Sequence, residues 1–177
     1  MNQLKIPKNY LNSFNKRKLE IENFQLFRPN INHLLCLAGP QPYIYQKLIP
    51  SQILRADSYE TNKDTYCRQK YLSKDLRFNF HYGEITNEFL TENTFIDADF
   101  CTGIDDNYQF LLDIKDYQFQ VTLSMRPVGE ERTINRLFYA MEEDFRLKED
   151  NIYITNKNSY KINKYFDTSS MISIFKL

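Results

Sequence analysis

Hydrophobic and polar positions along this chain change repeatedly between a strand-like and a helix-like period, which predicts strands and helices in alternation. Short apolar or β-rich runs predict strands at His33–Ala38, Gln52–Ala56, Arg77–Tyr82, from Thr94 onward and at Phe119–Met125. Helical spacing predicts helices at 42–49, Ser58–Leu72, Asp105–Asp113 and Glu130–Leu147. Two further strand-like runs, about Tyr160–Phe166 and Met171–Phe175, flank a turn-prone stretch and predict a hairpin.

This order, an N-terminal helical segment and then strands and helices in alternation, predicts an α/β fold. Such alternation requires right-handed crossovers and a mostly parallel sheet covered by helices. A chain of 177 residues is long enough for one substantial core and too short for two ordinary domains. We therefore expect an N-terminal helical segment over 1–30 and a single domain over 31–177, with a seven-stranded sheet that ends in an antiparallel C-terminal hairpin.

Composition narrows the classes of function. Lys and Arg balance Asp and Glu at 23 each, without a long run of one sign, so the electrostatic footprint of a dedicated nucleic-acid binder is missing. The first residues lack the apolar core of a secretory signal, and no apolar run approaches the roughly 20 residues that span a bilayer. The three cysteines form no CxxC pair and there are only two histidines, so no metal site is expected. We expect a cytoplasmic protein without membrane partners.

Candidate chemistry is concentrated just past the predicted strands. Ligands of open parallel sheets bind outside the carboxyl ends of the strands. Taken singly, these residues also suit ordinary turns, loop acids or helix caps, so only their recurrence at four consecutive strand ends favours a ligand site. The candidates are Gly39 after the first strand, Asp57 after the second, Gly83 and Glu84 after the third, and Asp97, Asp99 and Phe100 after the fourth.

The series LLCLAGP, ILRAD, HYGEI and FIDADF resembles the first four motifs of the Rossmann-like methyltransferases that use S-adenosylmethionine. The resemblance extends from about His33 to Leu177, and the two tail strands fit the hairpin that ends the sheet in that family. The first and fourth motifs are degenerate. LLCLAGPQP has one glycine, two prolines and no carboxylate, and the fourth motif lacks both of the family's prolines.

The resemblance implies a binding site for S-adenosylmethionine. A glycine after the first strand lets the backbone approach the methionine part of the cofactor. An acid at the end of the second strand accepts both ribose hydroxyls, and the acid of the third motif lies near the adenine amino group. The implied cofactor-binding residues are Leu37, Ala38, Gly39, Asp57, Gly83 and Glu84.

In the fourth motif, the resemblance implies that Asp97 accepts a hydrogen bond from a target amine and that Phe100 stacks on a planar substrate. The second acid, Asp99, would also suit a hydroxyl substrate or a metal. We expect a small methyltransferase that acts on an amine, with a nucleobase as one candidate. No separate target-recognition domain fits in so short a chain, so a partner subunit or a small substrate is easier to accommodate than sequence-specific DNA modification by this protein alone. A nucleic acid and a protein both stay open as partners.

Two other hypotheses remain. The first is a catalytically inactive, methyltransferase-like protein with a binding or inhibitory role, encoded by a phage or another mobile element; the thin first motif and the altered fourth favour it. The second is a nucleotide-binding α/β domain in which Asp97 and Asp99 hold Mg²⁺, although the sequence contains no phosphate loop of the GxxxxGK type.

Overall fold

The structure is a computed structural model. It describes residues 23–26, 28–39, 42, 46–47, 49–100, 102–124, 130–143, 145–149, 152–155, 157–165 and 171–177. Most of the helical segment predicted over 1–30 lies outside this range, and Asn23–Leu26 forms a single 3₁₀ turn. Half of the helix predicted over 42–49, residues 43–45 and 48, is likewise outside the described residues.

Nine strands and three α-helices are described, and a 3₁₀ turn at Asp105–Asn107 leads directly into the second helix. The strands are β1 (His33–Cys36), β2 (Arg55–Glu60), β3 (Phe78–Tyr82), β4 (Thr94–Asp99), β5 (Gln118–Ser124), β6 (Phe145–Glu149), β7 (Ile152–Thr155), β8 (Ser159–Tyr165) and β9 (Met171–Lys176). The helices are α1 (Lys63–Leu72), α2 (Tyr108–Ile114) and α3 (Glu130–Ala140).

All nine strands belong to one sheet in the order β3-β2-β1-β4-β5-β9-β8-β7-β6. The first five strands pair in parallel. Strand β9 then pairs antiparallel to both β5 and β8. The predicted α/β class, the parallel half of the sheet and the antiparallel C-terminal hairpin are thus confirmed.

The predicted count of seven strands is wrong, because a hairpin of β6 and β7 extends the sheet beyond β8. The helix predicted to reach Leu147 ends at Ala140. Glu142 follows with a φ of 55°, a left-handed conformation that an α-helix cannot continue through. Phe145 extends the helical spacing of apolar residues in the sequence, but it begins β6. Spacing alone therefore predicted too long a helix.

The second strand was also predicted too early. It runs from Arg55 to Glu60, so Asp57 lies inside it and not past its end. The helix predicted from Ser58 begins at Lys63, where the Asn62 side chain caps it by accepting a hydrogen bond from the Thr65 N–H at 2.9 Å. The first residues of the run predicted as a helix, Ser58 to Glu60, belong to β2 instead, and Ser58 is fully buried there.

The predicted alternation also fails between β3 and β4, where residues 83–93 contain no helix. Because β2 and β1 lie between these two strands, the connection must pass over both of them. Ile85, Phe89 and Leu90 from this connection pack against the core.

The sheet divides the core into two layers. On the first face, α2 and α3 cover the strands, and Leu35, Ile96 and Phe119 pack there with Leu137 and Phe138. The second face carries a separate apolar cluster, whose buried members are Ile31, Leu34, Cys36, Ala38, Ile49, Ile53, Ala56, Phe78, Phe95 and Phe175. The two packed layers fix the positions of the strand ends at which the candidate chemistry lies.

Candidate functional site

The carboxyl ends of the parallel strands meet at one edge of the sheet. Cys36, the last residue of β1, lies beside Ser58 on one neighbour and beside Asp97 on the other. Strand β2 continues past Ser58 to Glu60, whose carbonyl oxygen accepts a hydrogen bond from the Gly83 N–H at 3.0 Å. The turns after β1, β2 and β3 therefore lie next to one another, as the sequence predicted for this edge.

The turn after β1 is held by three hydrogen bonds. The Leu37 N–H donates to the Asp97 carbonyl at 3.2 Å, and the Ala38 N–H donates to Ser58 Oγ at 3.2 Å. The side-chain amide of Gln69 donates to the Gly39 carbonyl at 2.9 Å. Together these bonds fix the backbone on both sides of the turn.

Gly39 has a φ of +68°, a left-handed conformation that favours glycine. A Cβ added there would meet no atom within 4 Å, so the space beside the backbone is open. Within the described part of the chain, the Gly39 N–H has no acceptor. The turn thus offers an open backbone surface with a donor, which is what an anionic ligand group needs.

Glu60 is the acid that the sequence analysis missed. It ends β2, is only partly buried, and accepts a hydrogen bond from the Asn62 N–H at 2.8 Å through one carboxylate oxygen. Next to it, Gly83 has a φ of +147° with open space around it, and the following Glu84 is exposed. Knowledge of the true end of β2 would have identified Glu60, but no sequence signal marked that end.

Asp57 does not reach this edge. It is fully buried on the first face of the sheet, and its two carboxylate oxygens receive four short contacts from three side chains. Burial alone would raise the pKa of Asp57, but hydrogen bonds from Arg55, His81 and His33 outweigh it and hold that pKa below its usual value. An ionised, fully paired carboxylate is the result.

The histidines around Asp57 are themselves fixed by neighbours. His33 Nε2 lies 2.7 Å from Asp57 Oδ2, and His33 Nδ1 lies 2.9 Å from Thr94 Oγ1. Burial lowers the pKa of His33 despite the neighbouring carboxylate, so the ring is neutral and donates to Asp57 through Nε2. His81 Nε2 lies 2.8 Å from Asp57 Oδ1, and its ring stacks on Tyr59 with centroids 4.7 Å apart. We call Arg55, Asp57, His33 and His81 the Asp57 cluster.

The two acids of the fourth motif occupy different environments. Asp97 lies inside β4, is 1% exposed, and accepts a hydrogen bond from Gln120 Nε2 at 3.2 Å. Asp99 is the last residue of β4 and is partly exposed, two residues nearer the edge. Phe100 follows, half-buried, with its ring edge-on to Phe110 at a centroid distance of 5.4 Å. Asp99 and Phe100 therefore lie at the carboxyl edge, whereas Asp97 lies beneath it.

Asp97 belongs to a buried polar chain on the second face. Gln120 also accepts from Asn23 Nδ2 at 3.0 Å, and Asn23 accepts from Lys161 Nζ at 3.0 Å. Such satisfied networks fix side-chain orientation, since each member would be costly to leave unpaired. Through Gln120 and Asn23, the Asp97 carboxylate is linked to the 3₁₀ turn that precedes β1.

No group of three or more His, Cys, Asp or Glu side chains among the described residues is arranged to hold a metal ion. No helix in the described part of the chain is both long and apolar enough to cross a membrane.

Neither a protein-family model nor a curated protein matches this sequence. Solved structures do match its fold. A methyltransferase from Leishmania major that depends on S-adenosylmethionine has a TM-score of 0.59 at 12% identity, over 92% of this chain and 72% of that one. Magnesium protoporphyrin IX methyltransferase from Synechocystis, crystallised with bound S-adenosylmethionine, also has a TM-score of 0.59, at 6% identity, over 100% and 86% of the two chains.

An N-methyltransferase from Bradyrhizobium japonicum has a TM-score of 0.56 at 12% identity, over 93% of this chain and 97% of that one. Identities this low show a shared fold and not a shared substrate. The sheet order, the antiparallel β9 and these similarities agree: the chain has the Rossmann-like fold of the S-adenosylmethionine-dependent methyltransferases.

Proposed function

We propose that this protein is a methyltransferase that uses S-adenosylmethionine. The observation that carries the proposal is the open turn at Gly39, with its positive φ and an N–H that no described residue accepts, at the same sheet edge as the Glu60 carboxylate. The turn of Leu37, Ala38 and Gly39 would receive the methionine part of the cofactor, whose carboxylate suits the Gly39 N–H. The similar fold of a structure with bound S-adenosylmethionine supports this choice of cofactor.

Glu60 is the better candidate for the ribose hydroxyls, a role that the resemblance implied for Asp57. A ribose needs an acceptor at the strand end with an accessible carboxylate oxygen. Glu60 meets both conditions because it is partly exposed and ends β2. The Asp57 carboxylate is committed to its own cluster. Gly83 and Glu84 stay the proposed neighbours of the adenine amino group.

At the substrate side, Asp99 and Phe100 would hold the target amine. Asp99 can accept a hydrogen bond from the amine and orient its lone pair, and Phe100 provides an apolar face for a planar group. Asp97 would support the strand end through Gln120. The cofactor, when bound, supplies a sulfonium methyl group that a neutral amine can attack. The contribution of the protein is to place the two reactants in line and to exclude water.

The test is a calorimetric titration of S-adenosylmethionine and S-adenosylhomocysteine into the wild-type protein, Glu60→Gln and Asp57→Asn, with circular dichroism to check each fold. We expect micromolar binding by the wild type. In Glu60→Gln, affinity should fall by about tenfold or more, because hydrogen bonds to a charged group contribute about 1.5–3 kcal/mol. Folded Asp57→Asn should bind within about twofold of the wild type, a difference below 0.5 kcal/mol or so.

A second candidate function is a binding protein that keeps the methyltransferase fold without the cofactor. The sequence LAGPQP favours it, because Pro40 offers no N–H to a ligand and Gly39 is the only glycine of the loop. The same titration separates the two candidates. No heat and no thermal shift with either ligand would rule out the enzyme and leave the binding protein.

A further inference from the structure

Helix α1 buries a polar side chain at the position where it meets the turn after β1. Gln69 is the one residue of this helix that is fully buried, at 0% exposure. Its Nε2 donates a hydrogen bond to the Gly39 carbonyl at 2.9 Å. The contact joins residues 30 positions apart in the sequence, and it ends on the residue with the left-handed φ of +68°.

The buried amide has a cost. Its carbonyl oxygen, Oε1, is inaccessible to solvent and has no hydrogen-bond partner among the described residues. A buried acceptor without a partner is unfavourable, whereas a methionine of similar length would fill the same space without a polar atom to satisfy. Packing alone therefore favours an apolar residue here, and among the described residues the hydrogen bond that the amide gains is the bond to Gly39.

The C-terminal end of α1 also contacts the chain beyond Gly39. The Ser73 N–H donates to the Gln69 carbonyl at 2.9 Å, and Ser73 Oγ accepts from Gln46 Nε2 at 2.6 Å. Gln46 is itself buried. Helix α1 thus contacts the segment after β1 at Gly39 and again at Gln46, and Gln69 supplies the first contact.

We propose that Gln69 is a positioning residue that holds the Gly39 turn open for the cofactor before it binds. The inference rests on the proposed function. With its carbonyl held by Gln69, the turn keeps the positive φ and presents its N–H to a ligand carboxylate. A preorganised turn binds more tightly because no ordering has to accompany binding. Loss of the amide would let the turn sample closed conformations and reduce affinity without any loss of packing.

The experiment compares Gln69→Met with Gln118→Met, each titrated with S-adenosylhomocysteine. Gln118 is a matched control because it is also a buried glutamine, 2% exposed, but its amide bonds to the backbone of Leu26 and Arg28 at the opposite edge of the sheet. In Gln69→Met, we expect affinity to fall by about tenfold with an equal or higher melting temperature. In Gln118→Met, the melting temperature should fall and affinity should stay within about twofold of the wild type.

Hydrogen exchange of the backbone amides of Leu37 and Ala38 is the second readout, because both N–H groups are hydrogen-bonded in the turn and their exchange reports it without any ligand. These amides should exchange faster in Gln69→Met and at the wild-type rate in Gln118→Met. Unchanged exchange and unchanged affinity in Gln69→Met would overturn the positioning role. If the wild-type protein binds no S-adenosylhomocysteine, the proposed function is wrong, and so is the idea that the turn is held open for this cofactor. The exchange data would still decide whether Gln69 holds the turn. Gln69→Leu serves if the methionine variant fails to fold.

Discussion

Replacement of Asp57 by alanine should lower the free energy of unfolding by about 3 kcal/mol at pH 7.5, mainly because it leaves the buried Nε2–H of His33 without an acceptor. The Arg55 side chain is 51% exposed, so its guanidinium can hydrate and its contact contributes little. The His81 side chain is about one-third exposed and can also reach water. The His33 side chain is only 10% exposed and would lose the acceptor of its Nε2–H. An unsatisfied buried donor and a small cavity account for most of the cost.

The assay is urea unfolding followed by circular dichroism at pH 7.5 and pH 5.5. With a denaturant slope of about 2 kcal/mol per molar urea, the midpoint of the variant should fall by roughly 1.5 M at pH 7.5. The difference should grow at pH 5.5. Burial lowers the pKa of His33 in the folded protein below the value of 6.5 that it has in the unfolded chain. Between the folded and the unfolded pKa, the unfolded chain binds more protons than the folded protein, so stability falls as the pH is lowered.

Removal of Asp57 should widen that window. Its hydrogen bond and charge both raise the pKa of His33, so in the variant burial and the positive charge of Arg55, which both lower this pKa, act unopposed by Asp57. Asp75→Ala is the control, because Asp75 pairs with Arg77 at 2.6 Å and its pKa is lowered from 3.8, so it is ionised at both pH values. Its stability difference from the wild type should be equal at pH 7.5 and 5.5. A difference for Asp57→Ala that stays constant or shrinks at pH 5.5 would refute the reasoning.

Two further substitutions probe the turn and the buried tyrosine. In Gly39→Ala, the added Cβ would meet no atom, but alanine would be forced to a φ of +68°. The variant should therefore lose about 1–2 kcal/mol of stability and bind S-adenosylhomocysteine more weakly. An unchanged melting temperature would contradict the assigned conformation. Tyr160→Phe keeps the fully buried ring but removes the 2.8 Å hydrogen bond to Glu143 Oε1, which then keeps only its bond from Asn158, while Oε2 is buried with no partner among the described residues. Urea unfolding should show a loss of about 1.5–3 kcal/mol, and a neutral result would mean that the bond from Asn158 is enough for Glu143.

Some of the candidate site was predictable from residue type and order. Gly39, Glu84, Asp99 and Phe100 follow or end strands that the apolar periodicity located to within a few residues, and each lies at the carboxyl edge. Asp97 was predicted at the same edge but is buried beneath it, because it lies inside β4, two residues before the strand ends at Asp99. One or two residues of error in a strand end are enough to move a side chain from the site into the core.

The sequence by itself determined the α/β class, the five parallel strands and the C-terminal hairpin, because these depend on local periodicity that neighbouring residues share. Only the tertiary structure decided that Glu60, and not Asp57, ends β2. A buried aspartate inside a strand is tolerated only where distant side chains satisfy it, and His33 and His81 each lie 24 positions away along the chain. The sequence likewise does not predict the contact between Gln69 and Gly39. Such partners are set by strand order and helix docking, and no local pattern encodes them.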